Sequence, residues 1–163
     1  MNLLNASFIQ NGRIIKLFSI LFAFFVFSSC SKDDDTYARV TVNGTLLQTN
    51  PSDFTVGDRS DFNGDVDASF TGNGGTTSRM FSWNNNLTTA DYNADITATS
   101  QGTFNMVVLD ADGNTVLDRS LNGVVEPDSF SGVTDAGTSG VWSVTITVSS
   151  FNGDGSFSLS GGN

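Results

Sequence analysis

Short runs in which apolar and polar residues alternate, separated by clusters of glycine, asparagine and aspartate, make up the chain after Asp35. Apolar residues at every second position are typical of a β-strand with one buried face. No segment after Asp35 shows sustained helical periodicity, so the pattern predicts an all-β domain. The residues predicted to point inward are Trp142, Val144, Ile146, Val148, Phe104, Met106, Val108, Val66, Ala68, Phe70, Phe81 and Trp83.

Turn-forming clusters separate these runs. Asn43-Gly44 is a strong hairpin signal, and residues 110–114 predict a five-residue hairpin loop. The glycine-rich segments 72–75 and 152–155 are predicted to be loops between further strands. We therefore expect an antiparallel two-sheet β-sandwich of about eight to nine strands, either jelly-roll or Ig-like.

The N-terminal segment has a different pattern. An apolar run of 11 residues, 17–27, follows the basic residues Arg13 and Lys16, and no acidic residue precedes Asp33. As a helix this run rises about 16 Å, roughly half of a ~30 Å hydrocarbon core. The pattern therefore predicts a secretory signal peptide over residues 1–29 rather than a permanent transmembrane helix.

The end of the apolar run, Ser28-Ser29-Cys30, resembles the lipobox of bacterial lipoproteins. The resemblance implies cleavage before Cys30, lipidation of its thiol and a membrane partner reached through the lipid anchor. One acyl chain holds only marginally, at about 0.8 kcal/mol per buried CH₂, whereas two or three hold stably. The alternative is that Cys30 is a buried free thiol near an ordinary signal.

The residues that follow resemble the export signal of Bacteroidetes surface lipoproteins, a lysine and acidic residues just after the lipidated cysteine: Lys32, Asp33, Asp34 and Asp35. This resemblance implies an outer-membrane lipoprotein that faces the cell surface. One alternative is a solvated acidic tether. Another, in other bacteria, is retention at the inner membrane. Residues 30–36 are thus the predicted anchor and tether, and residues 37–163 the β-sandwich domain.

The spacing of strands and turns in segments 109–117, 140–146 and 151–159 resembles that of β-sandwich modules of the pre-peptidase C-terminal type. Modules of that type act as accessory or binding domains on secreted bacterial proteins, which implies the same kind of role here. The similarity lies in the spacing of strands and turns, so it transfers no site residue.

Charge and composition exclude several classes of function. The formal net charge is −10, which opposes nucleic-acid binding. The chain has no histidine and a single cysteine, which excludes Ser-His-Asp triads, Cys-His dyads and an internal disulfide. We predict a non-catalytic module that binds a glycan or a protein. The alternatives are a structural envelope spacer without a discrete ligand and, third, a carboxylate-based hydrolase.

Two acidic segments suggest calcium as the one candidate cofactor. Oxygen-bearing residues alternate in the first, which comprises Asp61, Asn63, Asp65 and Asp67. Calcium prefers such oxygen ligands, but a strand with aspartates on its outer face gives the same pattern. The weaker candidate comprises Asp110, Asp112 and Asn114, for which a hairpin loop is the alternative.

Three aromatic residues and one serine complete the candidates. Trp83 and Trp142 are in phase with apolar neighbours, which predicts core positions rather than sugar-stacking platforms. Tyr92, in the polar stretch 84–93, is the candidate for an exposed ligand-binding ring. Ser129 lies in Asp128-Ser129-Phe130, which resembles the O-glycosylation acceptor of Bacteroidetes.

Overall fold

The computed structural model describes residues 35–57 and 64–162. These residues form nine β-strands and include no helix long and apolar enough to cross a membrane. In chain order the strands are β1 Tyr37–Val42, β2 Thr45–Leu46, β3 Thr55–Val56, β4 Val66–Asn85, β5 Ala90–Ala98, β6 Thr103–Leu109, β7 Thr115–Asn122, β8 Ser129–Val133 and β9 Gly140–Gly161.

The prediction of an all-β antiparallel fold with eight to nine strands is confirmed. Hydrogen-bonded ladders run in the order β2-β1-β4-β9-β5-β8, while β3 pairs with β4, β6 pairs with β9, and β7 pairs with β6. All pairs are antiparallel except β3–β4. The strands were expected to belong to two separate sheets, but the ladders join all nine into one sheet.

Two long strands hold the sheet together. β4 has 20 residues and β9 has 22, and they pair from Val66 opposite Leu159 to Asn85 opposite Gly140. Residues 66–73 of β4 and 152–161 of β9 form what we call the β5 half, together with β1, β2, β5 and β8. The remaining parts of β4 and β9 form the β6 half, with β3, β6 and β7.

The prediction that segments 72–75 and 152–155 are loops is wrong, because both lie inside the long strands. The β4–β9 ladder changes register between Asn73 and Thr77, which marks a bulge. A Cβ atom on Gly72 would lie 2.4 Å from the carbonyl oxygen of Phe151, and Gly153 has φ 140°. Glycine therefore occurs here because the two backbones approach closely at a bulge, not because the strands end.

The inward residues of both halves form one core. The alternation predicted for β4, β6 and β9 is confirmed, since Phe70, Phe104 and Trp142 are at most 1% exposed. The rings of Phe70 in the β5 half and Phe104 in the β6 half stack with centroids 4.5 Å apart. The ring centroids of Phe104 and of Phe157, in the β5 half, are 6.0 Å apart. These contacts bring the inward faces of the two halves together.

Both predicted hairpins are confirmed. The β1–β2 turn holds Asn43 and Gly44 at φ 46° and 78°, the left-handed conformation expected of an Asn-Gly turn. β6 and β7 pair antiparallel around residues 110–114.

Candidate functional site

The predicted anchor lies almost entirely outside the described residues. Cys30, Lys32, Asp33 and Asp34 belong to that part, so lipidation and export stay predictions. Asp35 is exposed just before β1, and its carbonyl oxygen accepts a hydrogen bond from Asn73 Nδ2 at 3.4 Å. The first strand begins at Tyr37, seven positions after Cys30.

The first acidic segment is only partly described. Asp61 and Asn63 lie outside the described residues, whereas Asp65 and Asp67 are exposed and flank buried Val66 at the start of β4. The described part thus has the alternation of an outward-facing acidic strand. No group of three or more acidic, histidine or cysteine residues in 35–57 and 64–162 is arranged to hold a metal. Calcium at this segment stays a prediction.

Asn43 fixes this end of β4 to the β1–β2 turn. Its Nδ2 donates to the Asp65 carbonyl at 3.0 Å, and its Oδ1 accepts from the Asp67 backbone N–H at 2.8 Å. Asn43 therefore links the Asn-Gly turn to the acidic segment, a connection that the sequence pattern does not reveal.

The second acidic segment is organised around the carboxylate of Asp110, which is only 4% exposed. Oδ1 accepts the backbone N–H groups of Asp112 and Asn114, at 3.0 and 2.8 Å. Oδ2 accepts Asn114 Nδ2 at 3.2 Å and the backbone N–H of Thr138 at 2.9 Å. Both carboxylate oxygens therefore have protein partners, which supports the hairpin-loop interpretation of this segment.

These hydrogen bonds also set the ionisation of Asp110. The Thr138 N–H, with smaller contributions from Asn114 and Asp112, lowers the pKa of the carboxyl below its ordinary value of 3.8, although burial acts in the opposite direction. The carboxylate is thus stabilised in its charged form, as suits a permanent hydrogen-bond acceptor.

Thr138 makes several hydrogen bonds that connect two loops, and the sequence pattern does not predict them. Its hydroxyl donates to Asp112 Oδ2 at 2.7 Å, and its carbonyl accepts the indole N–H of Trp142 at 2.8 Å. With its backbone N–H on Asp110, this one residue joins the β6–β7 loop to the beginning of β9. Nothing in the sequence around Thr138 distinguishes it from the other threonines in polar segments.

The core positions predicted for the two tryptophans are confirmed. Trp83 and Trp142 are 1% and 0% exposed, and their rings pack edge to face with centroids 5.7 Å apart. The indole N–H of Trp83 donates to the Gly64 carbonyl. Neither ring presents a face to solvent, so neither is a sugar-stacking platform.

The structure places Tyr92 in a strand and not in the predicted polar loop, whereas its ligand-binding role stays a prediction. Tyr92 lies within β5, is half-buried and packs edge-on against Phe130, with centroids 5.8 Å apart. Its neighbours on the inward face are Ala90 and Ala94, both fully buried. Because alanine is a weak marker of a core face, the strand did not stand out in the sequence.

Tyr92 and Phe130 lie where β8 and β7 form the outer strands of the two halves. The guanidinium of Arg119 on β7 lies 6.0 Å from the centroid of the Phe130 ring on β8. A cation over an aromatic face is weakly attractive, by about 0.5–1 kcal/mol at exposed sites. This contact brings one residue of each edge strand close together.

Ser129 is the first residue of β8 and is exposed. It pairs with Asp95 of β5, whose side chain is also exposed. The predicted glycosylation site is therefore accessible to solvent on a regular strand.

A pocket of about 260 Å³ lies beside the C-terminal end of β4. Asn84, Asn85, Asn86, Leu87 and three glycines contribute to its lining. The amide of Asn85 is already bonded, to the Thr89 carbonyl at 3.0 Å and to the Leu87 N–H at 3.1 Å. Of the three asparagines that line the pocket, Asn84 and Asn86 make no side-chain hydrogen bond to another described residue, so the pocket offers few side-chain amides to a ligand.

The outward side of the β5 half is acidic. Exposed residues along its central strands include Asp67 on β4, Asp154 on β9, and Asp91 and Asp95 on β5, with Arg39 on β1 as the one cation among these outward positions. The remaining outward residues of these strands are mostly serine, threonine and asparagine.

The outward side of the β6 half has no charged residue on its three central strands. It comprises the even positions 78–84 of β4, the odd positions 141–149 of β9 and the odd positions 103–109 of β6, which we call the uncharged face. Serine, threonine and asparagine alternate there with half-buried Met80, Val107 and Leu109 and exposed Val141. Asp118 on the edge strand β7 borders this face opposite Val107, and its Oδ1 accepts a hydrogen bond from Asn105 Nδ2 at 2.8 Å.

The sequence matches no protein-family model and no curated protein at a significant level. The similarity to lipoprotein signals and to pre-peptidase C-terminal modules therefore rests on the motifs and spacing given above.

Proposed function

We propose that this chain is a lipid-anchored lipoprotein of the bacterial outer membrane, facing the cell surface, whose β-domain is a non-catalytic binding or accessory module for a glycan or protein ligand. The anchor is supported by Ser28-Ser29-Cys30 and the surface location by Lys32 to Asp35. The short tether to Tyr37 would hold the domain next to the lipid.

The observation that carries the binding role is the difference between the two outward sides of the sheet. One side combines aspartates with hydroxyl groups on its central strands, whereas the three central strands of the other have hydroxyl and apolar groups, with a single aspartate, Asp118, on the neighbouring edge strand β7. Because the charges on an interface complement those of the partner, a difference in charge between the two sides supports a role for one of them in contacting a partner. A spacer without a ligand, the alternative function, has no need for such a difference.

The environment of the Asp110 carboxylate supports a structural role for this residue. Asp110 has a lowered pKa and accepts four hydrogen bonds from its own loops. A general acid or base requires a pKa near the working pH and an accessible proton. Asp110 has neither property, which supports the proposal of a module without catalysis.

The anchor and its location are tested by two measurements on the bacterium that makes the protein. Mass spectrometry of the mature N-terminus is expected to find a lipidated Cys30, and Cys30→Ala is expected to remain unprocessed. Protease added to intact cells is expected to remove the protein but not a variant with Lys32→Ala and Asp33, Asp34 and Asp35 replaced by asparagine. An unmodified thiol would overturn the anchor, and equal protection of both proteins would overturn surface display.

Binding is tested through the melting temperature, since Trp83 and Trp142 are buried and their fluorescence would report little on the surface. The surface-polysaccharide fraction and the solubilised outer-membrane protein fraction of the same bacterium are the probes. A higher melting temperature with either one supports a binding module, because a ligand of the native state stabilises it. No shift with both would favour the spacer.

Ser129 is a further part of the proposal, as the acceptor of an O-linked glycan. Its exposure on β8 supports access by a modifying enzyme. The peptide that contains Ser129, taken from the native bacterium, is expected to show the mass of an attached glycan. Ser129→Ala is expected to remove that mass, and an unmodified wild-type peptide would end the proposal.

A further inference from the structure

We propose that the uncharged face binds a neutral polysaccharide. This inference rests on the proposed role of the domain as a binding module, and it names both the surface and the chemical class of ligand.

The charges of the chain and of the uncharged face limit the kind of partner that can bind there. The chain carries 17 acidic and 7 basic residues, yet four outward positions on β4, five on β9 and four on β6 carry neither. A polyanion would be repelled by the net charge of −10, and a polycation would prefer the side with Asp67, Asp91, Asp95 and Asp154. An uncharged partner that lies along the three central strands gains from their lack of charge, because it leaves Asp118 at the β7 edge in water and no ionised group loses its hydration on contact.

Side-chain chemistry then points to sugars. The central row of the face places Met80, Thr145 and Val107 side by side on β4, β9 and β6. The next row combines Ser82 and Ser143 with Leu109. Hydroxyl groups thus lie next to apolar groups across the sheet. Neutral polysaccharides have the complementary surface, since sugar rings alternate hydroxyl groups with C–H groups.

Area separates a polysaccharide from a second copy of this chain. Neighbouring strands are about 4.8 Å apart and alternate residues about 6.8 Å apart, so each outward residue covers about 33 Å² of sheet. The whole face therefore covers roughly 400 Å², about half of the ~800 Å² per partner in a standard stable interface. An extended chain that lies along the strands needs less area than a folded partner does.

Native affinity electrophoresis tests the inference with named probes. The mature domain is run through gels containing hydroxyethyl cellulose, mannan or soluble starch, with polygalacturonate as the anionic control. We expect retardation by at least one neutral polymer and none by polygalacturonate. Thr145→Glu, in the central row, is expected to weaken that binding about tenfold, because it places a charge without a partner under the ligand.

The matched control is Thr71→Glu, which adds the same charge to the outward side of the β5 half between Arg39 and Asp154. It is expected to retain wild-type retardation. Ser143→Glu replaces Thr145→Glu if the latter loses its β circular dichroism. Absence of retardation by every neutral polymer overturns the inference, and so does binding that Thr71→Glu abolishes and Thr145→Glu does not. Neither result removes the lipid anchor or the binding of a protein ligand, which the experiments above measure separately.

Discussion

Phe70 on β4 and Phe104 on β6 stack with their ring planes 6° apart and their centroids 4.5 Å apart. The two residues belong to different halves of one continuous sheet, so their contact is where the two inward faces meet. Phe151 packs edge-on against Phe70 from β9 with centroids 5.4 Å apart. Aromatic packing at this point therefore joins the core to the bulge, at which the long strands bend.

Phe104→Ala tests this role of the aromatic contact. Phe104 is fully buried, so its truncation removes contacts with both halves and leaves a cavity. We expect a loss of about 3–5 kcal/mol in the free energy of unfolding, measured by urea denaturation. Leu46→Ala, at a residue that is 44% exposed, is the control and is expected to change it by less than about 0.5 kcal/mol. Equal effects of the two variants would contradict a shared core.

Asp110→Asn tests the carboxylate that holds the β6–β7 loop to Thr138. The substitution removes the negative charge that the N–H groups of Asp112, Asn114 and Thr138 stabilise, so the melting temperature at neutral pH is expected to fall by several degrees. Asp95→Asn, at an exposed position on β5, is the control and is expected to leave it nearly unchanged.

The same carboxylate predicts a dependence of stability on pH. The folded-state pKa of Asp110 lies below the ordinary value of 3.8, so its stabilising contribution is present above about pH 4 and is lost as the pH falls through the folded-state pKa. The difference in melting temperature between wild type and Asp110→Asn should therefore shrink when the pH is lowered from 7 towards 3. A difference that stays constant over this range would show that Asp110 does not act through its charge.

The sequence pattern revealed the parts of the fold in which a strand alternates large apolar residues with polar ones. The inward faces around Trp142 and Phe104 were predicted residue by residue, because only a two-residue period buries such side chains on one face. β5 was located less well because Ala90 and Ala94 mark its buried face, and the position of Tyr92 was wrong as a result.

The continuity of β4 and β9 was not predictable from local composition. Glycine and asparagine at 72–75 and 152–155 favour turns in isolation, and only the pairing of one segment with the other shows that they form a bulge. Thr138 illustrates the same limit for the loops, since its hydrogen bonds with Asp110, Ala111 and Asp112 join residues that lie 26 to 28 positions apart in the chain. The acidic alternation around Asp65 and Asp67 was visible, but it fits a strand face as well as a ligand set.

Gly153→Ala tests the bend in the long strands. A Cβ atom on Gly153 would lie 2.0 Å from the carbonyl oxygen of Thr97, and the residue has φ 140°. Gly113→Ala is the matched control, because Gly113 has φ 85° but no heavy atom within 4 Å of its Cβ position. We expect a loss of about 1–2 kcal/mol for Gly113→Ala, from the backbone conformation alone. Gly153→Ala should lose roughly 3 kcal/mol or more, since the clash adds to that cost. Similar losses in urea denaturation would mean that the close approach of β9 to β5 does not constrain the bend.

The melting temperature in calcium tests the predicted calcium ligands Asp61, Asn63, Asp65 and Asp67. If these residues bind the ion, calcium at millimolar concentration raises the melting temperature and a chelator reverses the rise, because an ion that binds the folded state stabilises it. Asp65→Asn, which keeps the shape of the side chain and removes its charge, is expected to abolish the response. Asp112→Asn is the control in the second acidic segment, where Thr138 already occupies Oδ2 of Asp112. A response that Asp112→Asn removes and Asp65→Asn leaves intact would move the site to the β6–β7 loop, and an unchanged melting temperature in the wild type would reject calcium at both segments.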